Sequence, residues 1–144
     1  MINNFYSAYI YIILSHVFLM KFYIAAHMNY MEEAKDISNR ILERNDELTL
    51  NLTCNGRGGV SLDSTELKAY DFFVFLSHDE DPTAGMCKLF FAISSYELYK
   101  KPRIYTIGEN KDNALIIKNP YIRCHKSFDE FFKDIDGSHL KLIE

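Results

Sequence analysis

The stretch from Leu67 to Glu109, LKAYDFFVFLSHDEDPTAGMCKLFFAISSYELYKKPRIYTIGE, constrains the fold of this chain more than any other. Its apolar run, Phe72 to Leu76, is too short for a helix and rich in aromatic and β-branched residues, so it predicts a strand. Polar residues cluster from Ser77 to Thr83, a helical pattern follows from about Ala84 to Tyr99, and Arg103 to Ile107 reads as a second strand after Lys-Lys-Pro. Parallel strands need such a helical crossover, and open α/β sheets bind ligands outside the carboxyl ends of their strands. The loop from Ser77 to Gly85 is therefore the first place to look for a site.

The rest of the chain repeats this grammar. Lys21 to Ala26 is a mostly apolar strand, expected near the centre of a sheet. Tyr30 to Arg44 follows as a helix, with Tyr30, Ala34, Ile37 and Ile41 on one stripe. Asn29 is its expected N-cap, with Glu32 completing a capping box. Leu48, Leu50, Leu52 and Cys54 alternate with Thr49, Asn51 and Thr53, the pattern of a half-exposed strand. Asn55-Gly56-Arg57-Gly58-Gly59 is a loop that matches neither a P-loop nor GxGxxG. Ser61 to Tyr70 reads as a short helix and Glu109 to Asn113 as a polar loop. Tyr121 to His125 reads as an edge strand. Ser127-Phe128-Asp129-Glu130 is a capping-box signature for a last helix carrying Phe128, Phe131, Phe132 and Ile135. The order β-α-β-α-β-α-β-β-α predicts an α/β fold, a doubly wound, mostly parallel five-stranded sheet with flavodoxin-like connectivity. His27 and the loop Ser77 to Gly85 would then flank one crevice, where strands one and three diverge.

The 144 residues suffice for one domain with a proper core, and 48% hydrophobic with 25% charged residues is a globular composition. The net charge is −4, with 16 basic residues scattered among 20 acidic ones, so no nucleic-acid partner is expected. Cys54, Cys87 and Cys124 are odd in number and form no CxxC pair, which indicates neither a metal site nor a disulfide framework. No cofactor is implied. The sequon Asn51-Leu52-Thr53 falls inside a strand pattern and is read as chance.

Phe5 to Met20 is apolar and uncharged, yet shorter than the roughly 20 residues of a spanning helix, and it lacks the basic start of a signal peptide. Three readings stand: a membrane anchor through residues 5–20, a buried or interfacial helix, or an extension ahead of a start at Met20. The chain accordingly divides into an apolar extension, 1–19, and an α/β domain, 20–144. A cytoplasmic protein is expected, with membrane anchoring as the alternative.

Several segments together resemble the nucleoside 2-deoxyribosyltransferase family. Phe22-Tyr23-Ile24-Ala25-Ala26 is similar to the first strand of that family. Ala69-Tyr70-Asp71 before an apolar strand, Asp81-Pro82-Thr83-Ala84-Gly85 before a helix, and Lys100-Lys101-Pro102-Arg103-Ile104-Tyr105 after it follow in the family's order. Pro120 to His125 and Ser127 to Glu130 resemble its last strand and helix. The resemblance covers about Met20 to Ile135. It implies N-glycosidic chemistry, in which a helix-borne Glu attacks the anomeric carbon and a carboxylate near the third strand assists at the base. It also implies a nucleoside or nucleotide ligand, contacts from Tyr23, Ala25, His27, Ser77, Gly85 and Met86, and a homo-oligomer.

Counted from Gly85, the nucleophile's position is Leu89, and the next family glycine corresponds to Phe91. Leucine cannot attack a sugar, and Glu97 lies about 12 Å further along the helix by rise per residue. Three readings remain open: a binding protein whose glycosidic chemistry is lost or altered, an enzyme that uses Asp79 or Asp81 as its carboxylate, and a membrane-tethered interaction module.

Overall fold

A computed structural model describes residues 19–53, 64–77, 83–108, 116 and 118–143. Of the segments singled out above, residues 1–18, 54–63, 78–82 and 109–115 lie outside the described residues. Among the described residues the strands are β1 Lys21–His27, β2 Glu47–Thr53, β3 Phe72–Leu76, β4 Arg103–Ile107 and β5 Ile122–His125. The helices are α1 Met31–Glu43, α2 Ser64–Leu67, α3 Thr83–Tyr99 and α4 Phe128–Ile143, with a short 3₁₀ turn, Met28–Tyr30, between β1 and α1. No helix among the described residues is long and apolar enough to cross a membrane.

Every strand pair is parallel, in the order β2-β1-β3-β4-β5. The sheet is thus doubly wound with flavodoxin-like connectivity, and the direction of winding reverses between β1 and β3. Burial explains why the central strands are unbroken apolar runs: helices cover both faces, so both side-chain rows are dry. Phe22, Ile24, Ala26, Phe72, Val74, Tyr105 and Ile107 pack under α1 and α4, against Ala34, Ile37, Ile41, Phe131, Phe132 and Ile135. Tyr23, Ala25, Phe73, Phe75 and Ile104 pack under α2 and α3, against Leu67, Leu89 and Ala92. Leu48, Leu50 and Leu52 on the edge strand β2 are only half-buried against the first cluster, as their alternation predicts.

Carboxylates fasten the amino ends of the strands. The Met20 amide donates to Asp46 Oδ1 at 2.9 Å and the Lys21 amide to Asp71 Oδ2 at 2.9 Å. Asp71 also accepts an ion pair from Lys101 Nζ at 2.9 Å, which links the starts of β1 and β4 through the residue before β3. At the carboxyl ends the ladder continues past the strands: the Ser77 amide donates to the Ile107 carbonyl and the Gly108 amide to the His125 carbonyl, both at 2.9 Å. Gly108 has φ 131°, a conformation that side-chain-bearing residues avoid, so the turn out of β4 needs glycine there.

Two local expectations change in detail. Asn29 does not cap α1. It sits in the 3₁₀ turn, its amide donating to His27 Nδ1 at 3.1 Å, and Tyr30 precedes α1 without a side-chain cap. The intervening turn consumes the residues a capping box would have used. At α4 the Ser127 hydroxyl accepts from the Glu130 amide at 3.3 Å as expected, but the Glu130 carboxylate reaches back to the Lys126 amide, at 3.1 Å, rather than to that of Ser127.

Candidate functional site

The carboxyl ends of β1 and β3 lie side by side. Ala25 pairs with Phe75, so His27 and Ser77, each two residues further on, stand at the same level. Ser77 is buried, its amide bonded across to β4. His27 is half-buried and ends β1, its Nδ1 accepting from the Asn29 amide. Ala25 is fully buried on the α3 side of β1. Gly85 lies in the first turn of α3 and Met86 next to it. The carboxylates Asp79 and Asp81 lie outside the described residues.

Tyr23 is buried, its ring stacked on Phe73 at 5.6 Å and edge-on to Tyr70 at 5.3 Å. Tyr70 in turn shares a 2.9 Å hydrogen bond with the Thr49 hydroxyl. The Tyr23 hydroxyl stands beside Asn51 without reaching hydrogen-bonding geometry and is buried with no partner among the described residues. Burial first, then the neighbouring Tyr70, pushes its pKa up to about 12.

Such a shift has a consequence with a definite sign. In the unfolded chain Tyr23 ionises near pH 10; in the folded chain it keeps its proton until about 12. The folded state then binds more protons across that window, so stability falls as pH rises from about 10 to about 12. The loss is roughly 3 kcal/mol for a two-unit shift. Tyr23→Phe is expected to flatten that part of the curve, read as urea midpoints at stepped pH.

Leu89 is 1% exposed and packs with Tyr23, Ala25 and Phe73 in the α3-side core. The α3 position that the resemblance singles out therefore faces β1 as a hydrophobic core residue. Phe91 is 42% exposed on the other side of α3.

The residue that sequence reasoning missed is Lys88. It is 6% exposed, and its Nζ donates to Asn51 Oδ1 on β2, beside Tyr23. Burial holds its amine below the usual lysine range, and among the described residues it meets no carboxylate. A periodic signal for it exists: Lys88 shares the inward stripe of α3 with Leu89, Ala92 and Ser95, all buried. A cation at such a position is unusual enough to mark it.

Tyr23, Asn51 and Lys88 thus bring together a phenol, an amide and an amine from three separate elements, on the face that carries Leu89. The set itself offers hydrogen-bond donors and one cation, and the Glu66 carboxylate of α2 acts on Tyr23 from nearby. A cavity of about 630 Å³ lies near the amino ends of β4 and β5. Among the described residues no group of His, Cys, Asp and Glu side chains is arranged to hold a metal ion. No protein-family model matches the chain, and no curated protein matches it in sequence.

Proposed function

We propose that this protein is a divergent relative of the nucleoside 2-deoxyribosyltransferases that binds a nucleotide at the carboxyl ends of β1 and β3 without cleaving its glycosidic bond. The observation that carries this reading is Lys88. Its buried amine is hydrogen-bonded to a neutral amide and meets no carboxylate among the described residues, and it sits one residue before Leu89 on α3. A phosphate group supplies the amine with an anion, and the amino end of α3, starting at Thr83, supplies backbone N–H groups to the same kind of ligand. Leu89 supports the loss of chemistry, since the helix offers a side chain that can neither attack nor ionise.

The reading favours nucleotides over nucleosides. In a thermal-shift experiment, a nucleoside monophosphate at a hundredfold excess over its Kd is expected to stabilise the fold by about 2.7 kcal/mol, which raises Tm by several degrees. The parent nucleoside is expected to do less. Lys88→Met removes the difference, with an affinity loss of tenfold or more. Binding also weakens as pH rises: the ligand favours the charged amine, whose proton burial has loosened. A panel with no shift for any nucleotide would overturn the proposal. Release or exchange of a free base from deoxynucleosides, lost in Asp81→Ala, would replace it with the enzyme reading through Asp79 or Asp81.

The exposed Phe90, Phe91, Leu98 and Tyr99 along α3 support the homo-oligomer that the family resemblance implies, and sedimentation equilibrium of Leu98→Glu against the unaltered chain tests it.

A further inference from the structure

The 630 Å³ cavity is at the opposite end of the sheet from Lys88, walled by the start of β4, the approach to β5 and the later turns of α3 and α4. Its chemistry is distinct. Arg103, Arg123 and Lys133 bring three positive charges to it and Asp134 one negative charge. Asp134 is already engaged, by Arg123 Nη1 at 3.1 Å and His125 Nε2 at 2.9 Å. Arg103 and Lys133 have no carboxylate partner among the described residues.

Tyr105 lines the same space. Tyr105 is 1% exposed, its ring fixed edge-on to Phe131 at 5.2 Å and stacked near His125 at 5.9 Å. Its hydroxyl is buried beside the Arg103 guanidinium, which approaches it without reaching full hydrogen-bonding geometry, and the Asp134 carboxylate and the Arg123 guanidinium also act on it. The outer wall is aromatic: Tyr96 and Tyr121 lie 5.2 Å apart with rings tilted by 48°.

From these features we infer a second binding site, at the amino ends of β4 and β5, for a small phosphomonoester carrying a planar ring. Arg103 and Lys133 take the phosphate oxygens, and the ring lies against Tyr96 and Tyr121. Arginine suits this role because its fork meets two oxygens of a tetrahedral anion at once. The volume matches ordinary small-molecule sites.

Phenyl phosphate, inorganic phosphate and phenol are the probes, titrated calorimetrically into the full chain. Phenyl phosphate is expected to bind more tightly than either fragment. Arg103→Gln and Lys133→Gln are each expected to weaken it about tenfold, the usual worth of one charge-assisted contact. Gly137 lines the cavity, and a Cβ built there meets no atom within 4 Å, so Gly137→Phe is the substitution chosen to occupy the space. That variant is expected to melt near the unaltered protein and to lose phenyl phosphate entirely. Unchanged binding in a folded Gly137→Phe, or no phenyl phosphate binding to the parent chain, overturns the inference. Loss of binding in Lys88→Met instead assigns the anion to the carboxyl-end site and also overturns it.

Discussion

Leu89→Glu is expected to unfold the domain or bring it close to unfolding, and not to restore transferase chemistry. Leu89 is 1% exposed and surrounded by Tyr23, Ala25, Phe73 and Ala92. The substitution removes about 2 kcal/mol or more of apolar burial. It also puts a carboxyl group into an apolar cluster, at a further cost of several kcal/mol whether it ionises or takes a proton. Lys88 offers no relief, because adjacent residues on a helix do not face each other. Against a total stability of about 5–15 kcal/mol, the sum is decisive. Leu89→Met, which keeps volume and polarity, is expected to cost under about 1.5 kcal/mol. Guanidinium denaturation of the pair checks this. A glutamate variant with a midpoint near the parent's would mean that the helix turns another side towards the sheet.

Phe131→Ala is the second large effect, expected at about 3–5 kcal/mol. Phe131 is fully buried and joins three ring systems: Tyr105 at 5.2 Å, Phe132 at 5.1 Å and His125 at 6.4 Å. Its loss leaves a cavity between α4 and β4 that flat aromatic neighbours fill poorly. Phe128, on the same helix but only half-buried, is expected to cost distinctly less when truncated. Chemical denaturation of the two alanine variants gives the ranking; equal costs would refute the packing given for α4. Because Phe131 holds Tyr105, its truncation is also expected to weaken phenyl phosphate binding at the amino-end cavity, in whatever fraction remains folded.

How much of this was legible in the chain differs from element to element. Phe72 to Leu76 and Arg103 to Ile107 were read with the boundaries the structure gives, since each is a short apolar run stopped by polar residues, glycine or proline. Strand order followed as well, because parallel neighbours require crossovers and crossovers have one favoured hand. The capping of α1 did not follow. One hydrogen bond, from the Asn29 amide to His27 Nδ1, turns the capping residues into a 3₁₀ turn, and propensity alone does not separate those outcomes.

The site divides along the same line. Sequence by itself determined that the winding reverses between β1 and β3, with His27 and Ser77 just beyond their ends, because that depends on order and spacing, and the same counting puts Leu89 where the resemblance asks for a carboxylate. Only the tertiary structure decided that Lys88 turns inward to Asn51, 37 residues away, and that Arg103, Tyr105, Arg123, Lys133 and Asp134 converge on one cavity. Side-chain meetings between distant elements are set by helix rotation and by how bulk is shared across a sheet face. Periodicity marks Lys88 as an inward position but not the partner it meets, so the meetings of polar groups that give this protein its two candidate sites become visible only once the layers are packed.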